Sequence, residues 1–271
     1  MKPVGIVGNL ARDRVEGGRT RVGGGPYYCG RALRALARRG VIVTKCAESE
    51  RRELLTPLVG LGLPVFWRPA PSTSAFAIEY DGDRRRMVIE ELGDTWTPEE
   101  ARGWVAEALA GIEWVHVAPL ARSDFPPETL AELARGRRLS LDAQGLGRAP
   151  RLGPLELDTG YDPEMLRHVS ILKLAEDEAR ALAEGLDERS LRSFGVPEVV
   201  VTLGARGALV YADGLTELVP TRPIAGRVDP TGAGDAFSAA YLAARAGGAN
   251  PIAAARRAVA LVADLLEGRV R

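Results

Sequence analysis

Apolar residues in this chain come in short runs separated by stretches of helical period. Val4–Val7, Val41–Lys45, Val65–Trp67, Trp114–Val117, Leu139–Asp142, Ile171–Leu174 and Val199–Thr202 each read as a short buried strand. Tyr28–Arg38, Pro98–Ala110, Glu128–Ala134 and Asp177–Glu184 carry the apolar spacing of amphipathic helices. Repeated alternation of this kind predicts a parallel sheet covered by helices on both faces. Two segments break it. Residues 74–91 read as a hairpin turning at Asp81-Gly82-Asp83, and residues 207–220 as a second one turning at Asp213-Gly214. Residues 10–22, just after the first strand, are polar and Gly-rich. Two helices, 233–246 and 251–266, close the chain, with Gly247-Gly248 as the stop between them. There is no internal repeat, low-complexity tract or linker, which predicts one domain over 1–271.

The candidate chemistry is concentrated in Val228-Asp229-Pro230-Thr231-Gly232-Ala233-Gly234-Asp235-Ala236-Phe237. Glycines let the backbone turn tightly, so the N–H groups of Gly232, Ala233 and Gly234 can converge at the positive end of the following helix. A phosphate oxygen suits that point. Asp235 would be repelled by the same phosphate unless a cation, or a hydroxyl awaiting deprotonation, lay between them. Phosphoryl transfer with Asp235 as general base is the simplest reading. An ordinary turn, with Asp235 merely favouring the helix dipole, is the bland one.

The full string closely resembles the C-terminal signature of the ribokinase-like (PfkB) family of carbohydrate and nucleoside kinases. The resemblance implies a three-layer α/β/α sandwich with a mostly parallel central sheet and a small β lid, here about 10–22 and 74–91. It makes Asp235 the base and Gly232, Ala233 and Gly234 the anion hole. Near the first strand it implies acceptor contacts from Asn9, Asp13, Gly23 and Gly24, with Tyr28 where an Asn commonly touches the sugar. Thr202-Leu203-Gly204-Ala205-Arg206-Gly207 resembles the family's nucleotide loop, which assigns Thr202, Gly204 and Gly207 to ATP. Ala175-Glu176-Asp177-Glu178 resembles the Asn-x-x-Glu region with the Asn lost; Glu178 is then the Mg²⁺-linked carboxylate, acting through water. Asp142-Ala143-Gln144-Gly145, with Lys173-Leu174-Ala175, is similar to the inositol-kinase-like branch. On that basis Gln144 and Arg148 join the acceptor site, Lys173 the donor site, and myo-inositol is the favoured acceptor. The family's monovalent-cation site falls near Asp229 and Thr231, which allows activation by K⁺, and a homodimer through the lid is a further expectation. A nucleoside kinase, or a non-catalytic relative, is the alternative.

Composition narrows the field further. The 36 basic and 36 acidic residues give a formal charge of zero, which disfavours nucleic acid as a partner. Lys occurs only at 2, 45 and 173, so Lys173 stands out. No apolar run approaches the roughly 18 residues of a membrane span, and no signal-peptide pattern precedes the first strand, so a cytoplasmic location is expected. Cys29 and Cys46 read as buried free thiols, while His116 and His168 are not spaced for a metal. The Gly-x-Gly-x-x-Gly of a dinucleotide fold is absent after the first strand, which disfavours a dehydrogenase.

Overall fold

The computed structural model describes residues 2–15, 18–81, 84–224 and 228–270. Glu16 and Gly17, inside the expected 10–22 segment, and Gly82 and Asp83, in the expected hairpin turn, lie outside them. In chain order the elements begin with β1 (Val4–Asn9), β2 (Ala11–Val15), β3 (Thr20–Gly23), α1 (Gly25–Ala35), β4 (Gly40–Ala47), α2 (Arg51–Val59) and β5 (Val65–Ala70). They continue with β6 (Ser74–Asp81), β7 (Arg84–Glu91), α3 (Pro98–Arg102), α4 (Trp104–Ala108), β8 (Trp114–Val117), α5 (Pro127–Leu133), β9 (Arg138–Asp142), α6 (Gln144–Gly147) and β10 (Gly153–Pro154). The last are β11 (Val169–Ala175), α7 (Glu176–Ala183), α8 (Glu188–Arg192), β12 (Glu198–Thr202), β13 (Ala208–Ala212), β14 (Leu215–Val219), α9 (Ala233–Ala246) and α10 (Pro251–Leu266).

The main sheet has the order β14-β13-β12-β11-β9-β8-β1-β4-β5. The strands from β5 to β12 are parallel, and the β13–β14 hairpin adds an antiparallel edge. Strands buried on both faces need apolar side chains in both directions, which is why they read as continuous apolar runs. Along β1, Ile6 packs into the layer of α1, α9 and α10, whereas its neighbour Val7 packs against the opposite layer around Trp96, Val105 and Leu130. Alternate residues of one strand thus serve two cores.

α9 is the central helix of its layer. Ala236, Ala239, Ala240, Ala243 and Ala244 are all buried, and the helix packs against both α1 and α10. Small side chains on several sides let three helices approach closely, which fixes α9 between α1 and α10.

A second sheet has the order β10-β7-β6-β2-β3, with β2 and β6 parallel and the remaining pairs antiparallel. Residues 10–22, polar in sequence and expected from the resemblance to belong to a small β lid, contribute β2 and most of β3. Pro98–Ala110 was expected as one helix and is two, because Gly103 (φ −91°, ψ −115°) leaves the helical region between α3 and α4. α1 starts earlier than the periodicity predicts, with Pro26 preset for a first turn, and stops at Ala35 ahead of Ala37, whose φ is 50°. Among the described residues, no helix is long and apolar enough to cross a membrane. Cys29 and Cys46 are free and buried.

Candidate active site

From β1 the chain runs outward to β4 and β5 on one side, and through β8, β9, β11 and β12 on the other. Where the strand order reverses, the loops leaving β1 and β8 diverge, and ligands of open α/β sheets bind in that crevice at the C-terminal strand ends. Those ends carry Asn9 on β1, Asp142 on β9, Lys173 on β11 and Thr202 on β12. The N-terminus of α9 completes the group.

Gly232 sets the turn into α9. Its φ of 77° is left-handed, and a Cβ there would lie 2.2 Å from Tyr28 Cδ1, so both conformation and space demand glycine. Of the three N–H groups expected to form the anion hole, that of Ala233 donates to Pro230 O at 3.0 Å. Those of Gly232 and Gly234 have no acceptor among the described residues and lie at the positive end of the α9 dipole, an arrangement that can receive an anion.

Asp235 follows in the first helical turn. Its backbone carbonyl accepts from Cys29 Sγ at 3.3 Å, and Ser238 Oγ donates to Gly234 O at 3.1 Å, so the turn is tied down on two sides. The carboxylate lies against the start of α1, with Oδ1 3.2 Å from where a Cβ on Gly25 would be. It keeps part of its surface in the crevice, yet enough protein surrounds it for desolvation to dominate. Burial first, and then the Asp142 carboxylate, push it up to about 7, against the opposing pull of Lys173 and Arg148. A carboxylate so placed is partly protonated near neutral pH, the condition suited to moving a proton.

Lys173 and Asp142 are both buried, and Lys173 Nζ donates to Asp142 Oδ2 at 3.1 Å. Burial pulls the ammonium down, but Asp142, Glu178 and Asp235 outweigh it and hold Lys173 above its ordinary value. Asp142 stays below the usual carboxylate range because Lys173 and other favourable contacts, including the Gln144 N–H, overcome burial. Lys173 is therefore a fixed positive charge beneath the anion turn. Glu178 is buried as well, and burial pushes it up. Its Oε2 accepts from Ala175 N–H at 2.8 Å, capping α7 where the missing Asn leaves no side-chain partner.

On the side of the second sheet, Asp13 is buried, and its carboxylate fills the space beside Gly23, where a Cβ would lie 2.4 Å from Oδ2. Gly24, with φ 89°, passes so near β1 that a Cβ would meet Asn9 O at 2.6 Å. The two glycines thus make room for Asp13 and for the β1–β2 backbone. Asn9 is committed within the protein: Nδ2 donates to Asp94 O at 2.8 Å and Oδ1 accepts from Trp96 Nε1 at 2.9 Å. It braces the loop after β7. Gln144 opens α6 and its side-chain amide makes no protein hydrogen bond among the described residues, while Arg148 is near enough to lower both Asp235 and Glu178. Tyr28 packs on the anion turn, and burial followed by the Asp13 charge raises its phenol. The phenol is therefore held neutral.

On the other side of the turn a cleft of about 380 Å³ opens beside Gly234. Thr202, Gly204 and Gly207 line its rim, and Ile224, Val228, Phe237, Val259, Val262 and Leu266 make its floor apolar. Gly207 has a local reason too, since at φ 99° a Cβ would lie 2.1 Å from Val219 O across the hairpin. Asp229 and Thr231, on the Tyr28 side of the turn, are engaged by Arg21 from β3. The chain gives no local hint of Arg21 as a site residue, because its partners lie about two hundred positions away in sequence. His116 is fully buried with Nδ1 3.0 Å from Ser140 Oγ, and burial pushes it down to about 4; it is a neutral core residue.

The family model for pfkB family carbohydrate kinase matches residues 68–264. The chain belongs to the PfkB family. A cytidine kinase of Thermococcus kodakarensis is 30% identical over 171 residues, 58% of this chain and 59% of that protein. Ribokinase of Bacillus subtilis is 29% identical over 185 residues, 68% of this chain and 59% of that protein. The matched part therefore spans less than two thirds of these relatives' length. Among solved structures, a pyrophosphate-dependent kinase in the ribokinase family, complexed with a pyrophosphate analogue and myo-inositol, superposes with a TM-score of 0.81 at 25% identity, covering 97% of this chain and 94% of that one. The fold is the ribokinase-like α/β fold.

Proposed function

We propose that this protein transfers a phosphoryl group from ATP to one hydroxyl of a small polyhydroxylated ring, with myo-inositol the favoured acceptor. The observation that carries the reading is Asp235, poised near 7 beside the N–H groups of Gly232 and Gly234, with Lys173 beneath them. Asp235 takes the proton from the acceptor hydroxyl as its oxygen bonds to the terminal phosphorus, and the bond from that phosphorus to the leaving phosphate oxygen breaks. The turn N–H groups and Lys173 stabilise the charge on the transferred group. Little else is asked of the protein but alignment.

The apolar cleft beside Gly234 supports a nucleotide donor, since a purine base buries apolar surface there and a bare pyrophosphate has none to bury. Similarity to a pyrophosphate-dependent kinase favours the second donor reading. Mg²⁺ fits the donor set: Glu178 offers a hard oxygen, Oε1, free of protein hydrogen bonds among the described residues, and the donor phosphates and water supply the rest. An Mg²⁺ ion held there would neutralise phosphate charge. The second sheet, bearing Asp13, is read as the lid over the acceptor. A nucleoside acceptor is the alternative that the cytidine kinase relative favours.

A screen of coupled product release tests this, with ATP or pyrophosphate as donor and inositols, pentoses, hexoses and nucleosides as acceptors. Turnover of an inositol or sugar with ATP is expected. Turnover with pyrophosphate alone would overturn the donor assignment, and a higher kcat/KM on a nucleoside than on every polyol would overturn the acceptor.

A further inference from the structure

Membership in the PfkB family implies a monovalent cation near Asp229 and Thr231, and the residues present do not fit one. Asp229 Oδ1 accepts from Thr231 N–H at 3.0 Å and from Thr231 Oγ1 at 2.6 Å. Asp229 Oδ2 accepts from Arg21 Nη1 at 3.2 Å, and Arg21 Nη2 donates to Thr231 Oγ1 at 3.0 Å. Both carboxylate oxygens and the hydroxyl are thus occupied by protein donors. A K⁺ ion needs several oxygens turned toward it, and here it would also face a guanidinium at close range. Burial pulls Arg21 down, but Tyr28, Asp229 and Asp13 outweigh it, so the charge is permanent.

We propose that the Arg21 guanidinium is the resident cation of this turn, standing in for a monovalent ion and making turnover independent of K⁺. The inference rests on the kinase reading for its rate effect and on geometry alone for its binding effect. Asp229 is a negative charge a few residues before the N–H groups that receive phosphate, and left uncompensated it would repel the donor. Arg21 cancels it. The same contact holds Thr231 in the turn that delivers Gly232 to its left-handed conformation against Tyr28. Arg21 sits on β3 opposite Asp13 on β2, so one side chain connects the strand pair bearing the acceptor carboxylate to the anion turn. Among the described hydrogen bonds it is the side-chain link between the smaller sheet and residues 228–235. Arg21 is a positioning residue: it acts on the phosphate site through Asp229 and Thr231.

The test compares KCl with tetramethylammonium chloride at about 100 mM each, which keeps screening equal while removing the small cation. Melting temperature is read without any substrate, and initial rate is read with the best donor and acceptor. The wild type is expected to show the same melting temperature and rate in both salts. Arg21→Ala is expected to lose about tenfold or more in kcat in tetramethylammonium, and to regain both rate and melting temperature in K⁺, which enters the vacated space beside Asp229. Arg21→Lys keeps the charge but not both contacts, so it is expected to fall between wild type and Arg21→Ala in tetramethylammonium and to gain nothing from K⁺. A wild-type rate or melting temperature that rises in K⁺ overturns the proposal. So does an Arg21→Ala protein that matches wild type in tetramethylammonium, or that is impaired and indifferent to K⁺. If Arg21→Ala does not fold, the wild-type and Arg21→Lys comparisons decide. The melting measurements stand even if the acceptor has been misassigned.

Discussion

Lys173 Nζ lies 2.9 Å from the point at which a Cβ on Gly234 would sit. The ammonium and the anion turn are in contact because position 234 has no side chain. A methyl group there displaces the end of a flexible side chain and meets no backbone, so the fold tolerates it while the charge moves. Gly234→Ala is therefore expected to lower kcat by about tenfold or more with little change in melting temperature. Steady-state kinetics beside a thermal melt separate the two effects. Lys173→Met is a poorer probe, because stranding the buried Asp142 costs about 3–5 kcal/mol of stability.

The rate should follow the ionisation of Asp235. A base must be deprotonated, so kcat/KM is expected to rise with pH through a limb near 7 and then level. Asp142 raises Asp235 through its negative charge, so Asp142→Asn removes part of that effect and should move the limb toward acid. A limb unmoved, or moved to higher pH, would show that the titrating group is another one.

Asp13 is buried against Gly23, close enough to Asp235 for its charge to raise that carboxylate. A site built to pair with hydroxyls loses most when its own carboxylate is removed or when the acceptor lacks a hydroxyl. Asp13→Ala is expected to raise the acceptor KM by about tenfold or more while changing the ATP KM far less. Equal changes in both would place Asp13 outside the acceptor site.

Asp124 is fully buried in the loop after β8, where its Oδ2 accepts from Leu120 N–H at 2.8 Å. Burial, only partly offset by hydrogen bonds, pushes it up to about 6. Because the folded value lies above the unfolded 3.8, the folded state holds the proton more tightly, and stability is lost as pH rises from about 4 through 6. Asp124→Asn keeps the acceptor and cannot ionise. Its stability relative to wild type should therefore improve by about 2 kcal/mol between pH 4 and pH 7, read from denaturant melts at each pH. A constant difference would mean that Asp124 does not titrate in the fold.

Much of this architecture was legible because buried parallel strands announce themselves as apolar runs, and the turn at Gly232 demands a glycine for reasons that leave a mark in the chain. The helix break at Gly103 was not legible, nor were α2, which buries only Leu54 and Leu58 and carries Pro57 inside it, and α8, which buries only Leu191, since so few apolar positions show no period. Within the site, Asp235 and Lys173 could be singled out locally. The commitment of Asn9 to Trp96, the diversion of the Ala233 N–H to Pro230, and the grip of Arg21 on Asp229 could not. Each is a contact set by how elements pack, not by neighbours in sequence.

The central claim is that Asp235 is the general base. The measurement that reaches it most directly is Asp235→Asn, assayed for ATP binding by calorimetry and for turnover with the best acceptor. The account predicts ATP affinity close to wild type and kcat lower by about 10²-fold or more. Turnover like that of wild type would contradict it.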